Sequence, residues 1–250
     1  MKQLAGKITV VTGGGSGIGA AVARAFAREG AEVAMCGRRA QALEATREAI
    51  ASAGGTAVAV PADLTRREDV TRLVEAIRER FGRLDVLVNN AGILGVHAPI
   101  AEYPEDVWEA VIAANLTAVF QLTKASLPLM ARGGSIINVS SSVGRVGRAG
   151  WGAYAVSKFG VEGLSQVLAD ELRERGIRVN TVNPGGTRTA MRATAYPDED
   201  PTTLPSPDDV TPIFVYLASD ESLGVTGRAF DARDWNAAPE VVGGGRSRST

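Results

Sequence analysis

Short apolar, β-branched runs alternate with longer runs of helical period along most of the chain, and this alternation constrains the fold most. It predicts strands over 7–11, 32–36, 56–61, 84–88, 135–139, 177–182 and 225–230. Helices are predicted over 18–29, 40–53, 67–80, 104–130, 152–175 and 208–218. The strand runs are apolar throughout, which suits a parallel sheet covered on both faces. Repeated βα units need right-handed crossovers, so the expectation is α/β, a doubly wound parallel sheet of about seven strands flanked by helices. A chain of 250 residues fits one such domain. Its expected limits are 1–240, followed by a frayed polar, glycine-rich tail over 241–250. The irregular stretch 183–207 exceeds most loops and marks a lid or binding loop, with a substrate loop at about 186–207.

A glycine-rich segment, Thr12-Gly-Gly-Gly-Ser-Gly-Ile-Gly19, falls between the first strand and the first helix. Gly13, Gly17 and Gly19 permit a tight turn and a close backbone approach to a pyrophosphate, which the helix N-terminus attracts. Gly15, Gly17 and Ala20 satisfy the looser form of the same motif, so spacing alone selects neither. Ser16 and Ile18 lie inside the segment. This context makes the domain a single Rossmann fold with a dinucleotide cofactor. The second strand ends in Gly37-Arg38-Arg39 with no carboxylate. Arginines there suit a 2′-phosphate, so NADP(H) is expected over NAD(H). Asp63, followed by Leu64, is either an acceptor for the adenine amino group or a helix cap.

The charge balance, 27 basic against 28 acidic residues, gives no reason to expect nucleic acid or an anionic membrane as partner. No apolar stretch of about 20 residues is evident, so no membrane span is expected. The N-terminal apolar run is too short for a secretory signal. A single cysteine, Cys36, allows no internal disulfide and favours a cytoplasmic location. It reads as a small core residue. A single histidine, His97, leaves no His-rich metal site and reads as incidental to the chemistry.

Tyr154 and Lys158 stand four residues apart on a predicted helix, hence on one face. An ammonium beside a phenol favours the phenolate, which makes the tyrosine a proton donor or acceptor near neutrality. Ser141, within Ser140-Ser-Ser142, precedes the tyrosine by thirteen residues.

In this order, Thr12–Gly19, Asn89-Asn-Ala-Gly92, Asn115, Ser141, Tyr154/Lys158 and Asn183-Pro-Gly185, the sequence resembles the short-chain dehydrogenase/reductase family over nearly its whole length. Three segments resemble the YciK-type oxidoreductases of bacteria: 140–145, 147–154 and 183–192. The resemblance implies that Tyr154 is the acid/base at a carbonyl or alcohol oxygen. Lys158 would bind the nicotinamide ribose and depress the tyrosine pKa, and Ser141 would hold the same oxygen. Asn115 would bind a water linking Lys158 to solvent, or else kink its helix or bond a neighbouring loop. Asn89, Asn90, Ala91 and Gly92 would line the cofactor crevice. Pro184, Gly185, Thr187 and Thr189 would meet the nicotinamide end, although Thr187 stands where many members carry an aliphatic residue. The segment Thr226–Trp235 departs from the glycine-rich, acidic C-terminus of many members.

The implied enzyme is an NADP(H)-dependent oxidoreductase (EC 1.1.1.-), a carbonyl reductase acting on an aldehyde or ketone. The alternatives are an idle NADP(H)-binding sensor or scaffold, and a same-fold epimerase or dehydratase with retained cofactor. Substrate contacts are expected from Ser141, Val143, Trp151, Tyr154 and Arg192. Trp151 offers an apolar face or simply packs. Arg145, Arg148 and Arg192 would pin an anionic substrate, or Arg188 and Arg192 would meet cofactor phosphates, or these are rim charges. The partner is a small molecule. The long helices 104–130 and 152–175 would pair in a homo-oligomer, a dimer or the homotetramer expected of the family.

Overall fold

Seven strands pair into one sheet in the order β3-β2-β1-β4-β5-β6-β7, and every pairing is parallel. The computed structural model describes residues 2–236. The strands are β1 (Ile8–Thr12), β2 (Glu32–Gly37), β3 (Thr56–Pro61), β4 (Leu84–Asn89), β5 (Met130–Val139), β6 (Arg178–Asn183) and β7 (Ala229–Asp231). The helices are α1 (Gly17–Arg28), α2 (Ala40–Ser52), α3 (Arg67–Phe81), α4 (Glu105–Ile112), α5 (Ala118–Ser126), α6 (Gly152–Glu171), α7 (Ala190–Ala195) and α8 (Thr211–Ala218). The expected tail 241–250 lies outside the described residues.

Successive strand residues point to opposite faces, so apolar runs feed two core layers. Val33 and Met35 of β2 join a layer with Phe26 of α1 and Phe214 of α8. Ala34 and Cys36 join the other, with Leu73 of α3 and Leu122 of α5. Cys36 is fully buried, and burial pushes its thiol up to about 12, so it stays a neutral core residue. A buried polar chain crosses the second layer. Asn89 Nδ2 donates to Thr123 Oγ1 (3.1 Å) and to Asn138 Oδ1 (2.8 Å), and Asn138 Nδ2 donates to Ser165 Oγ (2.8 Å). This chain ties β4 and β5 to α5 and α6, and it removes Asn89 from the crevice expected for it.

Several boundaries differ from the sequence reading for identifiable reasons. β5 begins at Met130, because Leu84 pairs with Met130 while Val86 pairs with Ser135, and the extra residues bulge through Gly133 at φ 88°. The predicted helix 104–130 is α4, a π-turn over Ala113–Thr117, α5 and a 3₁₀ turn over Leu127–Leu129. Taken together, Glu105–Leu129 is long and apolar enough for a membrane span by length and composition alone. Its inward face is occupied by protein: Val111, Asn115 and Leu122 are buried. The irregular stretch 183–207 contains α7, capped by Thr189, whose side chain accepts from the Arg192 N–H at 3.1 Å.

Candidate active site

The strand order turns back between β1 and β4, and the crevice opens at their carboxyl ends. Thr12 closes β1 by accepting from the Asn90 and Ala91 N–H groups, both at 2.8 Å. Asn90 Nδ2 returns a bond to the Thr12 carbonyl at 2.8 Å. Gly13 turns the chain at φ 68°. Gly19 lets α1 approach this turn, since a Cβ there would stand 2.3 Å from the Gly13 carbonyl oxygen. Gly19 is thus a packing glycine, while Gly13, Gly17 and Ile18 face the cleft.

The first turn of α1 carries no acidic residue, and Ser16 does not cap it with its side chain. Ser16 Oγ instead accepts from Arg39 Nη2 at 2.8 Å. The helix therefore presents uncapped N–H donors and a guanidinium to the same point. Gly13, Gly15, Ser16, Arg38 and Arg39 border a hollow of about 410 Å³ beside the cleft, with no carboxylate in its lining. This donor set fits a dinucleotide with a 2′-phosphate. Asp63 takes neither expected role: α3 begins at an Arg66 N-cap without a side-chain cap bond, and Asp63 Oδ1 accepts from the Thr65 N–H (3.1 Å) and hydroxyl (2.8 Å) in a local turn. Leu64 packs on the core. Neither residue borders the cleft or the hollow.

The cleft itself, about 360 Å³, brings Ser141, Tyr154 and Lys158 together with Asn90, Ala91, Gly92 and Gly185. Tyr154 and Lys158 lie one turn apart on α6. Ser141 stands close enough to the Tyr154 phenol to pull its pKa downward. Of its neighbours, Ser142 is exposed, and Ser140 Oγ is buried without a protein partner. Lys158 is buried, and its Nζ donates to the Val139 carbonyl at 2.8 Å and lies 5.7 Å from the Tyr154 ring centroid.

Burial pulls Lys158 down to about 8, and the negative charge of Glu162 opposes that pull. Burial holds the Tyr154 phenol above its usual value, with the nearby Ser141 hydroxyl pulling back. The expected depression of the phenol by Lys158 is therefore not the dominant effect here: desolvation outweighs it, and Lys158 is engaged with Val139.

Asn115 sits in the π-turn, fully buried. Its Oδ1 accepts from the Ile93 N–H (2.8 Å), and its Nδ2 donates to the Ile93 carbonyl (2.9 Å) and to Ser157 Oγ (3.2 Å). The side chain braces the loop after β4, which is the loop-bonding alternative for this residue. Gly92 is needed beside it, since a Cβ there would meet Asn115 Oδ1 at 3.0 Å.

Pro184, Thr187 and Thr189 also line the cleft. A Cβ on Gly17 would stand 3.4 Å from Thr189 Cγ2, so the start of the substrate loop 186–207, the flap, rests on the glycine turn. Trp151 lines the cleft and packs against Tyr154 (5.7 Å between centroids), Tyr196 (5.9 Å) and His97 (4.4 Å).

Three expected substrate contacts, Val143, Arg145 and Arg148, are corrected. Val143 is buried and does not line the cleft. Arg145 is consumed by Glu162 (3.1 Å), Asp231 (2.7 Å) and the Phe230 carbonyl (3.2 Å), which locks the loop after β5 to α6 and β7. Arg148 and Arg188 are exposed and outside the cleft lining. Arg192 lines it, but pairs with Glu199 through two bonds of 2.6 Å and lies 3.7 Å over the Tyr196 ring.

The profile of the short chain dehydrogenase family matches residues 7–200. The chain belongs to that family. Among short chain dehydrogenase relatives, it is 44% identical over 232 residues to the uncharacterized oxidoreductase YciK of Escherichia coli K12, covering 91% of this chain and 92% of that one. The 3-oxoacyl-[acyl-carrier-protein] reductase FabG of Thermotoga maritima is 39% identical over 236 residues, 90% and 96% of the two chains. A short chain dehydrogenase of Escherichia coli CFT073, solved with NADPH, superposes with a TM-score of 0.89 at 44% identity over 93% of this chain and 99% of its own. One from Shigella flexneri 2a, solved with NADP, gives 0.89 at 44% identity over 93% and 100%.

The sequence reading gave no role to Leu94, which lines the cleft of this short chain dehydrogenase, and reached Met191 and Tyr196 only as members of the expected substrate loop at about 186–207. Tyr196 had one signal, an aromatic residue in an otherwise polar flap. Leu94 had none, since only the Asn115 brace places its loop there.

Proposed function

We propose that this oxidoreductase is an NADP(H)-dependent carbonyl reductase. The observation that carries the reading is the convergence of Ser141, Tyr154 and Lys158, the last two one turn apart on α6, in the cleft that the uncapped N-terminus of α1 also enters. Arg38 and Arg39 would hold the 2′-phosphate, and the N–H groups of Gly17–Gly19 the pyrophosphate. The NADP and NADPH complexes of the similar structures support that assignment. When bound, NADPH supplies a hydride to the carbonyl carbon.

The protein's own part is positional and protonic. Ser141 and Tyr154 hold the carbonyl oxygen, and Tyr154 gives it a proton as negative charge develops there. Burial raises the phenol pKa further, so it holds the proton that carbonyl reduction takes from it. Lys158, still largely charged below pH about 8, stands beside the phenol to offset the charge left on it. Pro184, Gly185, Thr187 and Thr189 line the same end of the cleft and would orient the nicotinamide. The cytoplasm is the proposed location. Exposed Phe120 on α5 with Val156, Phe159 and Val167 on α6 support a homo-oligomer through those helices. Paired titration with NADPH and NADH, followed by carbonyl reduction, tests the reading: NADPH must bind more tightly and be oxidised, and equal affinity for both nucleotides contradicts it.

A further inference from the structure

Two observations at the substrate end of the cleft bear on what enters it, and both rest on the reductase reading. The first concerns charge. Among the described residues, the charged side chains lining the cleft are Arg39, at the nucleotide end, Lys158 and Arg192. Lys158 donates to the Val139 carbonyl. Arg192 holds both Glu199 oxygens at 2.6 Å, and the pair is about three-quarters shielded, with side-chain exposures of 26% and 27%. Glu199 is held below the usual carboxylate range by this contact. A carboxylate substrate would enter with no free cation to meet it, or would have to break a shielded bidentate pair.

The second observation concerns shape. Trp151 and Tyr196 stand 5.9 Å apart between ring centroids, tilted by 43°, and Trp151 is 5.7 Å from the ring of Tyr154. Leu94 and Met191 line the same cleft. The aromatic surfaces therefore lead directly to the proton donor. The cleft is about 360 Å³, and the nicotinamide must share it. What remains is a compact, uncharged, aromatic-walled space.

We propose that the substrate is a compact, uncharged carbonyl compound bearing an aromatic ring, held against Trp151 and Tyr196 with its carbonyl oxygen at Ser141 and Tyr154. Arg192 then acts as a structural strut that keeps Tyr196 in the wall, its guanidinium 3.7 Å over that ring. Keto acids are excluded by the pairing of Arg192, and short aliphatic carbonyls lack the ring that the wall meets.

The test uses equilibrium binding to protein saturated with NADP⁺, where no turnover occurs. Four probes are compared by calorimetry: methyl benzoylformate, benzoylformate, methyl pyruvate and pyruvate. The neutral aromatic ester is expected to bind about tenfold tighter than its acid and about tenfold tighter than methyl pyruvate. Trp151→Ala is expected to weaken methyl benzoylformate about fivefold or more and to narrow its advantage over methyl pyruvate. NADP⁺ affinity on each variant reports an intact fold, and Tyr196→Leu carries the same test if Trp151→Ala fails that check.

Tighter binding of benzoylformate than of its ester overturns the inference. So does methyl pyruvate binding as well as methyl benzoylformate, or wall variants that leave the aromatic preference untouched. A protein that binds no NADP⁺ overturns the reductase reading itself, and the inference with it.

Discussion

The two ends of the cleft are built differently. The nucleotide end is made mostly of local sequence: a turn at Gly13, the start of α1, the Arg38-Arg39 pair after β2, and Asn90 bonded to Thr12 across two central strands. The substrate end is made of side chains delivered by separate segments: Trp151 before α6, Leu94 on a braced loop, Met191 and Tyr196 on the flap. Backbone geometry is written in local sequence as glycine spacing. Side-chain convergence is written nowhere locally. This contrast explains how one end is shared across a whole family while the other must be worked out for each member.

The contrast can be broken at several points. Tyr154→Phe removes the proposed proton donor and leaves the nucleotide end untouched. Turnover should fall about 10²- to 10⁴-fold while NADPH affinity stays within about twofold; steady-state kinetics with fluorescence titration checks both. Arg38→Asp places a carboxylate where the 2′-phosphate would lie. NADPH affinity should fall about 10- to 100-fold with little change for NADH, measured by paired titration. Gly19→Ala attacks the backbone end directly. Its Cβ would lie 2.3 Å from the Gly13 carbonyl oxygen, so overpacking should cost about 1–3 kcal/mol in urea unfolding, with weaker NADPH binding.

The smallest expected effect lies in pH dependence. Lys158 has its folded value lowered to about 8, below the roughly 10.4 of an unfolded lysine. Between those limits the unfolded chain binds more protons than the native protein, so the unfolding free energy gains from this residue as pH rises. The penalty for burying the ammonium is fully present below pH 8. The difference between wild type and Lys158→Met should therefore shift toward wild type from pH 8 to 10. Tyr154, raised by burial, acts in the opposite sense above its ordinary value. A flat difference curve would show that Lys158 is not desolvated as described.

The sheet was legible because its central parallel strands, buried on both faces, leave continuous apolar runs; even the partly exposed edge strand β3 coincides with the predicted span 56–61. The glycine turn and the Tyr154/Lys158 pair were legible for the same local reason. Three features were not. The π-turn at Ala113–Thr117 depends on Asn115 reaching Ile93, a contact 22 residues away. The partners of Arg145 and Arg192 depend on tertiary proximity, so arginines that looked available for an anion proved spent on Glu162, Asp231 and Glu199. The flap helix α7 was hidden among Thr and Pro residues, although Thr189 was a readable cap.

The most direct test of the account is a single-turnover experiment on wild type and Tyr154→Phe, each preloaded with NADPH and mixed with methyl benzoylformate, with NADPH affinity measured on the same samples. The account predicts NADPH oxidation by wild type and its near-complete loss in Tyr154→Phe, with nucleotide binding intact in both. Oxidation at comparable rates in the two proteins would contradict the central claim that Tyr154 delivers the proton.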